Sequence, residues 1–174
     1  MIQNRFISLS VLIFFSLVVV GCSAGEGVPR ILGDDTDKPL DEDVRILFVD
    51  NKMIVLSLLD FCKNNVGVKW LGFELDAVDL ASTVTTIPTS NTLNLAREKL
   101  EVLGAEALMC TRDWSVTDSP LVSVTLPLHG AGLSVSGAGK GIRYLKDSTS
   151  VVKDKIEKGE LKALDSKGWY IYSS

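Results

Sequence analysis

Residues 6–20 form an apolar run without a single charge, interrupted only by Ser8, Ser10 and Ser16, and the run stops just short of Cys22. Arg5 is the only charge before it. The run has the length of an export-signal core and falls short of the roughly 20 apolar residues that a spanning helix needs. Whatever folds in water therefore begins after it. Residues 23–43 then change character. They carry Gly25, Gly27, Pro29, Gly33 and Pro39, with acids at Asp34, Asp35, Asp37, Asp41, Glu42 and Asp43. That composition reads as a flexible acidic tether, and about 20 such residues reach roughly 25 Å. The chain divides into residues 1–21, residues 22–43 and a single domain over residues 44–174.

The residues before the cysteine, Val19, Val20 and Gly21, are small or aliphatic. The run closing on Val-Val-Gly-Cys resembles the lipobox of bacterial lipoprotein signals, although that family prefers Leu where Val19 stands. The resemblance implies cleavage after Gly21. It also implies lipid on the sulfur and amine of Cys22, and three acyl chains that hold the protein to a membrane. One acyl chain binds only reversibly, so three give lasting retention. Ser23 is similar to the residue that follows the cysteine in outer-membrane lipoproteins. The expected location is the outer membrane, with the domain facing the periplasm. An uncleaved anchor and an ordinary signal cut near Ala24 are the alternatives.

The net charge of −4 becomes −5 once Arg5 is removed with the signal, and 153 residues remain. An acidic chain of this kind is no electrostatic partner for nucleic acid. It also lacks a polybasic patch for anionic headgroups. Its length suffices for one domain with a sizeable core.

The pattern predicts an α+β fold, with a single mixed or antiparallel sheet packed by two or three helices. The order is a β-α-β-β-α-β start followed by a strand-rich C-terminal part. Residues 44–49, VRILFV, read as a strand and residues 53–63 as a helix. Residues 66–74 read as a strand with Val66, Val68 and Trp70 on one side. Residues 82–87 follow as a β-branched strand stopped by Pro88. A helix capped by Ser90 or Asn91 runs to about Leu103, with Gly104 closing it. Strands are expected at 106–110, 121–126, 133–136, 142–145 and 169–172. A short helix at 149–158 turns Val152 and Ile156 inward and pairs Lys153 with Glu157.

The segments RILFVDN, KMIVLSLLDFCKNN and VGVKWLGF, and then TVTTIPTSNTLNLAREKLEVLGAEAL, resemble the periplasmic N-terminal domains of secretins and the short domains of TonB-dependent receptors. The resemblance covers residues 44–110. It departs at Asn64-Asn65, where the family favours Gly. It implies an accessory of a secretion, pilus or conjugation machine, without a pore of its own.

Few residues carry chemistry. Cys62 and Cys110 are the two thiols left after lipidation, and an oxidising compartment favours a disulfide between them. Two separately buried cysteines are the alternative. The run Gly137 to Gly141 fails the phosphate-loop pattern, with Ser134 in place of Gly and Gly141 in place of Ser or Thr. The surrounding SGAGKGIRY is similar to a segment of lipoprotein lysozyme inhibitors. His129, the sole histidine, lies in PLHGAG and reads as an exposed loop residue. It has no nucleophile-elbow pattern and no spaced Cys/His set beside it. Asp76 with Asp79, and Asp113 with Asp118, read as solvated charges. Trp70 and Trp169 are expected in the core, and Trp114 is the candidate partner-contact residue.

No catalytic residue, metal site or cofactor is expected. The expected function is a non-catalytic binding or assembly factor of the cell envelope, attached to the membrane through Cys22 and engaging a protein partner. The alternative is an inhibitor or immunity-type lipoprotein that captures a cell-wall-attacking enzyme.

Overall fold

A computed structural model of the chain describes residues 38–74, 78–82, 87–129, 139–146 and 150–174. Two helices come first, α1 (Asp41–Asp50) and α2 (Lys52–Asn64), followed by β1 (Val68–Gly72) and β2 (Val78–Leu80). Helix α3 (Ser90–Leu103) leads into β3 (Ala107–Arg112), β4 (Leu121–His129) and β5 (Lys140–Leu145). Helix α4 (Ser150–Glu157), β6 (Leu161–Ala163) and β7 (Trp169–Ser173) complete the chain. The strands form one seven-stranded sheet in the order β2-β1-β3-β4-β5-β7-β6. Every pairing is antiparallel, so the fold is α+β as expected.

The start differs from expectation. Residues 44–49 are helical, so the order opens α-α-β-β-α-β and not β-α-β-β-α-β. The secretin resemblance thereby loses its opening strand. Short apolar runs do not distinguish strand from helix by themselves. Here Asp41, Glu42 and Asp43 fill the first turn, where the helix dipole favours negative charge. Asp43 also accepts the Leu40 N–H at 3.0 Å. Val44 and Phe48, four residues apart, then share the buried face. The helix takes Asp41, Glu42 and Asp43 from the end of the segment read as tether.

Smaller differences follow from local geometry. A register shift between Val68 and Trp70 breaks the alternation of β1. Val68 and Leu71 both enter the core, while Trp70 is only half-buried and pairs across to exposed Met109. Thr89, and not Ser90 or Asn91, caps α3 by accepting the Thr92 N–H. Gly104 takes the left-handed conformation, φ 61°, that ends the helix. Strand β6 had no visible sequence signal. In α4, Val152 is buried but Ile156 is 42% exposed. The ion pairs at this helix join Lys158 to Asp154 and Lys155 to Glu160, not Lys153 to Glu157. The middle of the strand expected at 82–87 and all of that at 133–136 lie outside the described residues.

The sheet has two unlike faces. Helices α1, α2 and α3 cover one of them. Phe48, Leu58 and Leu100 meet Leu108, Leu126, Ile142 and Trp169 there. The Trp169 ring packs 5.6 Å from Phe48 and 5.3 Å from Tyr144. Alternation along β7 sends Tyr170 and Tyr172 to the opposite face, where they cluster with Val152 and Leu161. Gly141 lies opposite Tyr172 in the ladder. A Cβ on Gly141 would run into the Leu126 carbonyl and sit 3.0 Å from the Tyr172 ring.

Helix α1 is fastened by charge. Asp41 receives the Lys140 ammonium at 2.6 Å and that of Lys162 on its other oxygen. Lys140 is only 7% exposed, so Asp41 is its necessary counterion. The hydrogen bond from Lys140, reinforced by the one from Lys162, holds the Asp41 carboxyl below the usual carboxylate range. Arg45 adds a bond to the Ala163 carbonyl at 3.4 Å and an ion pair with Asp165 at 3.7 Å.

Two predictions follow from these contacts. A depressed folded-state pKa contributes stability that is present above about pH 4 and lost as pH falls through the lower folded value. Asp41→Asn should therefore cost about 2–3 kcal/mol at pH 7, because it leaves Lys140 buried and unpaired. In urea titrations across pH, the gap from the parent should close below about pH 4. Gly141→Ala should displace the Tyr172 ring and lower stability by about 2–3 kcal/mol through overpacking. An unchanged urea midpoint for that variant would contradict the packing described.

Candidate functional site

The best-anchored exposed surface grows from the end of α2. Cys62 in its last turn is bonded to Cys110 of β3, with Cα atoms 5.6 Å apart. Both cysteines are buried, so the bond crosses the interface between helix layer and sheet. Two residues on, alternation turns Arg112 toward the same side. Arg112 Nη2 donates to the Cys62 carbonyl and, at 3.3 Å, to that of Lys63. These are carbonyls of a helix C-terminus, where a cation is favoured. Burial pulls the guanidinium pKa below its usual value. An arginine nevertheless stays charged in a protein.

Arg112 also positions the next loop. Its Nη1 donates to the Ser119 carbonyl at 2.9 Å. Residues 113–120 join β3 to β4 and are closed by their own bonds. The Asp113 N–H meets the Pro120 carbonyl at 3.0 Å, and the Ser119 N–H meets the Val116 carbonyl at 2.8 Å. Asp113 accepts both the N–H and the hydroxyl of Ser115, which lowers its pKa. This frame presents Trp114, 39% exposed, together with exposed Val116 and, just beyond on β4, exposed Val122. Trp114 thus sits at the surface, as a contact residue must.

Two hollows adjoin the loop. One of about 440 Å³ lies between Val122, Arg143 and Leu145 of the sheet and Val152 and Lys155 of α4. The other, about 310 Å³, is bordered by Lys63, Arg112 and Tyr144. Pro120, Leu121 and Lys146 belong to both, so the surface is continuous around this end of the sheet. Arg143 is held in place by a bond from Nε to the Thr125 hydroxyl at 3.1 Å. Its guanidinium also lies over the Tyr172 ring, 4.5 Å from the centroid. Burial pushes the Tyr172 hydroxyl up to about 12, although the Arg143 charge opposes that shift.

The other sequence candidates are not brought together. His129 is 3% exposed at the end of β4, not an exposed loop residue, and its Nδ1 has no partner among the described residues. Lys140, inside the glycine-rich run, is committed to Asp41. Asp79 and Asp118 are exposed, and Asp76 lies outside the described residues. Among the described residues no group of three His, Cys, Asp or Glu could hold a metal ion. Cys22 lies outside the described residues, within which no helix is long and apolar enough to cross a membrane.

Sequence reasoning missed Arg112 and Arg143. A signal existed for Arg112, which stands two residues after a buried cysteine in a strand. Arg143 lies between Ile142 and Tyr144 and so faces away from the main core.

No protein-family model, curated protein or solved structure matches the chain.

The disulfide closes a separation of 48 residues. On chain-entropy grounds its loss should cost about 4 kcal/mol. Cys62→Ala with Cys110→Ala should lower the urea midpoint accordingly, and intact mass of protein purified without reductant should show no free thiol at these positions. Two free thiols in such material would overturn the pairing.

Proposed function

We propose that the chain is a lipoprotein held in the outer membrane by lipid on Cys22. Its domain faces the periplasm and acts as a non-catalytic binding or assembly factor of the cell envelope. The observation that carries this reading is the rigid presentation of Trp114 and Val116. A loop fastened by a disulfide, a buried arginine and its own hydrogen bonds loses little entropy on binding. Tryptophan at such a place is the residue type that most often dominates an interface. The groups that chemistry would use have other duties: His129 is buried, and Lys140 neutralises Asp41.

The test combines address and contact. Cys22→Ser should leave the domain folded, by circular dichroism, but release it from the membrane fraction. A photo-crosslinking residue placed at position 114 in cells should form a discrete protein adduct. Trp114→Ala should abolish capture without changing the melting temperature. Membrane retention of Cys22→Ser, or undiminished capture by Trp114→Ala, would overturn the reading. Adducts formed with resident envelope proteins fit an assembly factor. Adducts that appear only when a cell-wall-attacking enzyme is supplied fit the inhibitor alternative.

A further inference from the structure

Charge is segregated on this molecule. The chain carries a net charge of −4, yet the two joined hollows beside the 113–120 loop are lined by five cations. These are Lys63, Arg112, Arg143, Lys146 and Lys155, and Asp113 is the one carboxylate among the described lining residues. Three of the five are already engaged. Arg112 serves main-chain carbonyls, Lys63 pairs with Asp60 at 3.0 Å and Lys155 pairs with Glu160 at 3.4 Å. Arg143 and Lys146 have no carboxylate within ion-pair distance among the described residues.

Arg143 is the more telling of the two. Its Nε is used by Thr125 and one face by Tyr172. Its terminal nitrogens have no acceptor among the described residues. A half-buried guanidinium held this way has already lost rotamer freedom and part of its hydration. It is therefore prepared for bidentate contact with a carboxylate. Beside it, Val122, Leu145, Val152 and Leu161 give the groove an apolar floor. A bare anion would leave that floor wet, and a purely apolar ligand would leave Arg143 uncompensated.

We propose that this groove binds an acidic, partly aliphatic peptide segment of a protein partner. A carboxylate of the segment pairs with Arg143, Lys146 flanks it, and a neighbouring aliphatic side chain lies against Val122 and Val152. The assignment rests on the binding-factor reading above and names the chemistry of its partner. The chain's own acids at Asp34, Asp35 and Asp37 are unsuited to the site. They lie within four residues of Lys38, a reach of at most about 14 Å. Helix α1, which follows them in the chain, packs on the helix-covered face, where Asp41 meets Lys140 at the opposite end of β5. The groove opens on the other face, beside α4.

The test uses the full lipidated chain in detergent and a fluorescent peptide of alternating aspartate and leucine, read by anisotropy. Its asparagine–leucine counterpart is the control. The acidic peptide should bind, and the control should bind at least about tenfold more weakly. Lys146→Glu, at an exposed position, and Arg143→Met should each weaken binding about tenfold with an unchanged circular dichroism spectrum. If Arg143→Met fails to fold, Lys146→Glu decides alone. Equal binding of the two peptides, or no effect of Lys146→Glu, would sink the proposal. So would charge-dependent binding of inorganic phosphate or phosphatidylglycerol vesicles with none of the peptide. Self-association in sedimentation that Lys146→Glu abolishes would assign the groove to a second copy and equally overturn it. An adduct at position 114 in cells that survives Lys146→Glu would refute the groove while leaving the binding-factor reading intact. Peptide binding without any such adduct would do the reverse.

Discussion

The joint between the end of α2 and β3 is the constraint on which the rest depends. The Cys62–Cys110 bond crosses from the helix layer to a central strand of the sheet. It restricts the unfolded chain over 48 residues, an effect of about 4 kcal/mol. Arg112 works from the same strand. A buried guanidinium is costly unless its donors find acceptors. The carbonyls of Cys62, Lys63 and Ser119 supply them for the two terminal nitrogens, while the buried Nε has no partner among the described residues. The same three bonds tie the helix end to the loop that follows β3. A stability device and the placement of Trp114 are therefore one structure.

The second consequence is asymmetry between the faces of the sheet. Three helices seal one face into the main core, while α4 covers part of the other. The face beside α4 keeps Arg143 half-buried over the buried Tyr172 ring and leaves the groove open. Gly141 makes this close packing feasible, because a Cβ there would overlap the Leu126 carbonyl and press on the Tyr172 ring. The far end of β5 is closed by the buried pair of Lys140 and Asp41. One end of this strand thus commits its cation to holding α1, while the other leaves two cations without a carboxylate partner among the described residues.

Much of the fold was legible in the chain. Helices α2 and α3 announced themselves by long stripes at helical spacing, and β7 by its aromatic run. The first element was not legible. VRILFV is short, apolar and β-branched at both ends, and periodicity over six residues cannot separate strand from helix. The acids ahead of it carry the deciding signal, but next to a glycine- and proline-rich stretch their composition equally suits a tether. Strand β6, only three residues long, has no periodicity to show. Of the candidate site, the exposure of Trp114 and the pairing of the two cysteines were readable from residue type and number. The groove was not, because Arg143, Val122 and Val152 come from three separate elements.

The sequence by itself determined the order of an apolar run, an acidic segment and a remainder of mixed composition. It also determined the α+β class and the cysteine pair available for bonding. These follow from local composition and spacing, which need no knowledge of distant contacts. The tertiary structure alone decided which face of each strand is covered, that Lys140 and Asp41 are partners, and that Arg143 and Lys146 share a groove while neither pairs with a carboxylate among the described residues. Those facts depend on strand order and register. They bring together residues up to about a hundred positions apart, beyond the reach of any local pattern.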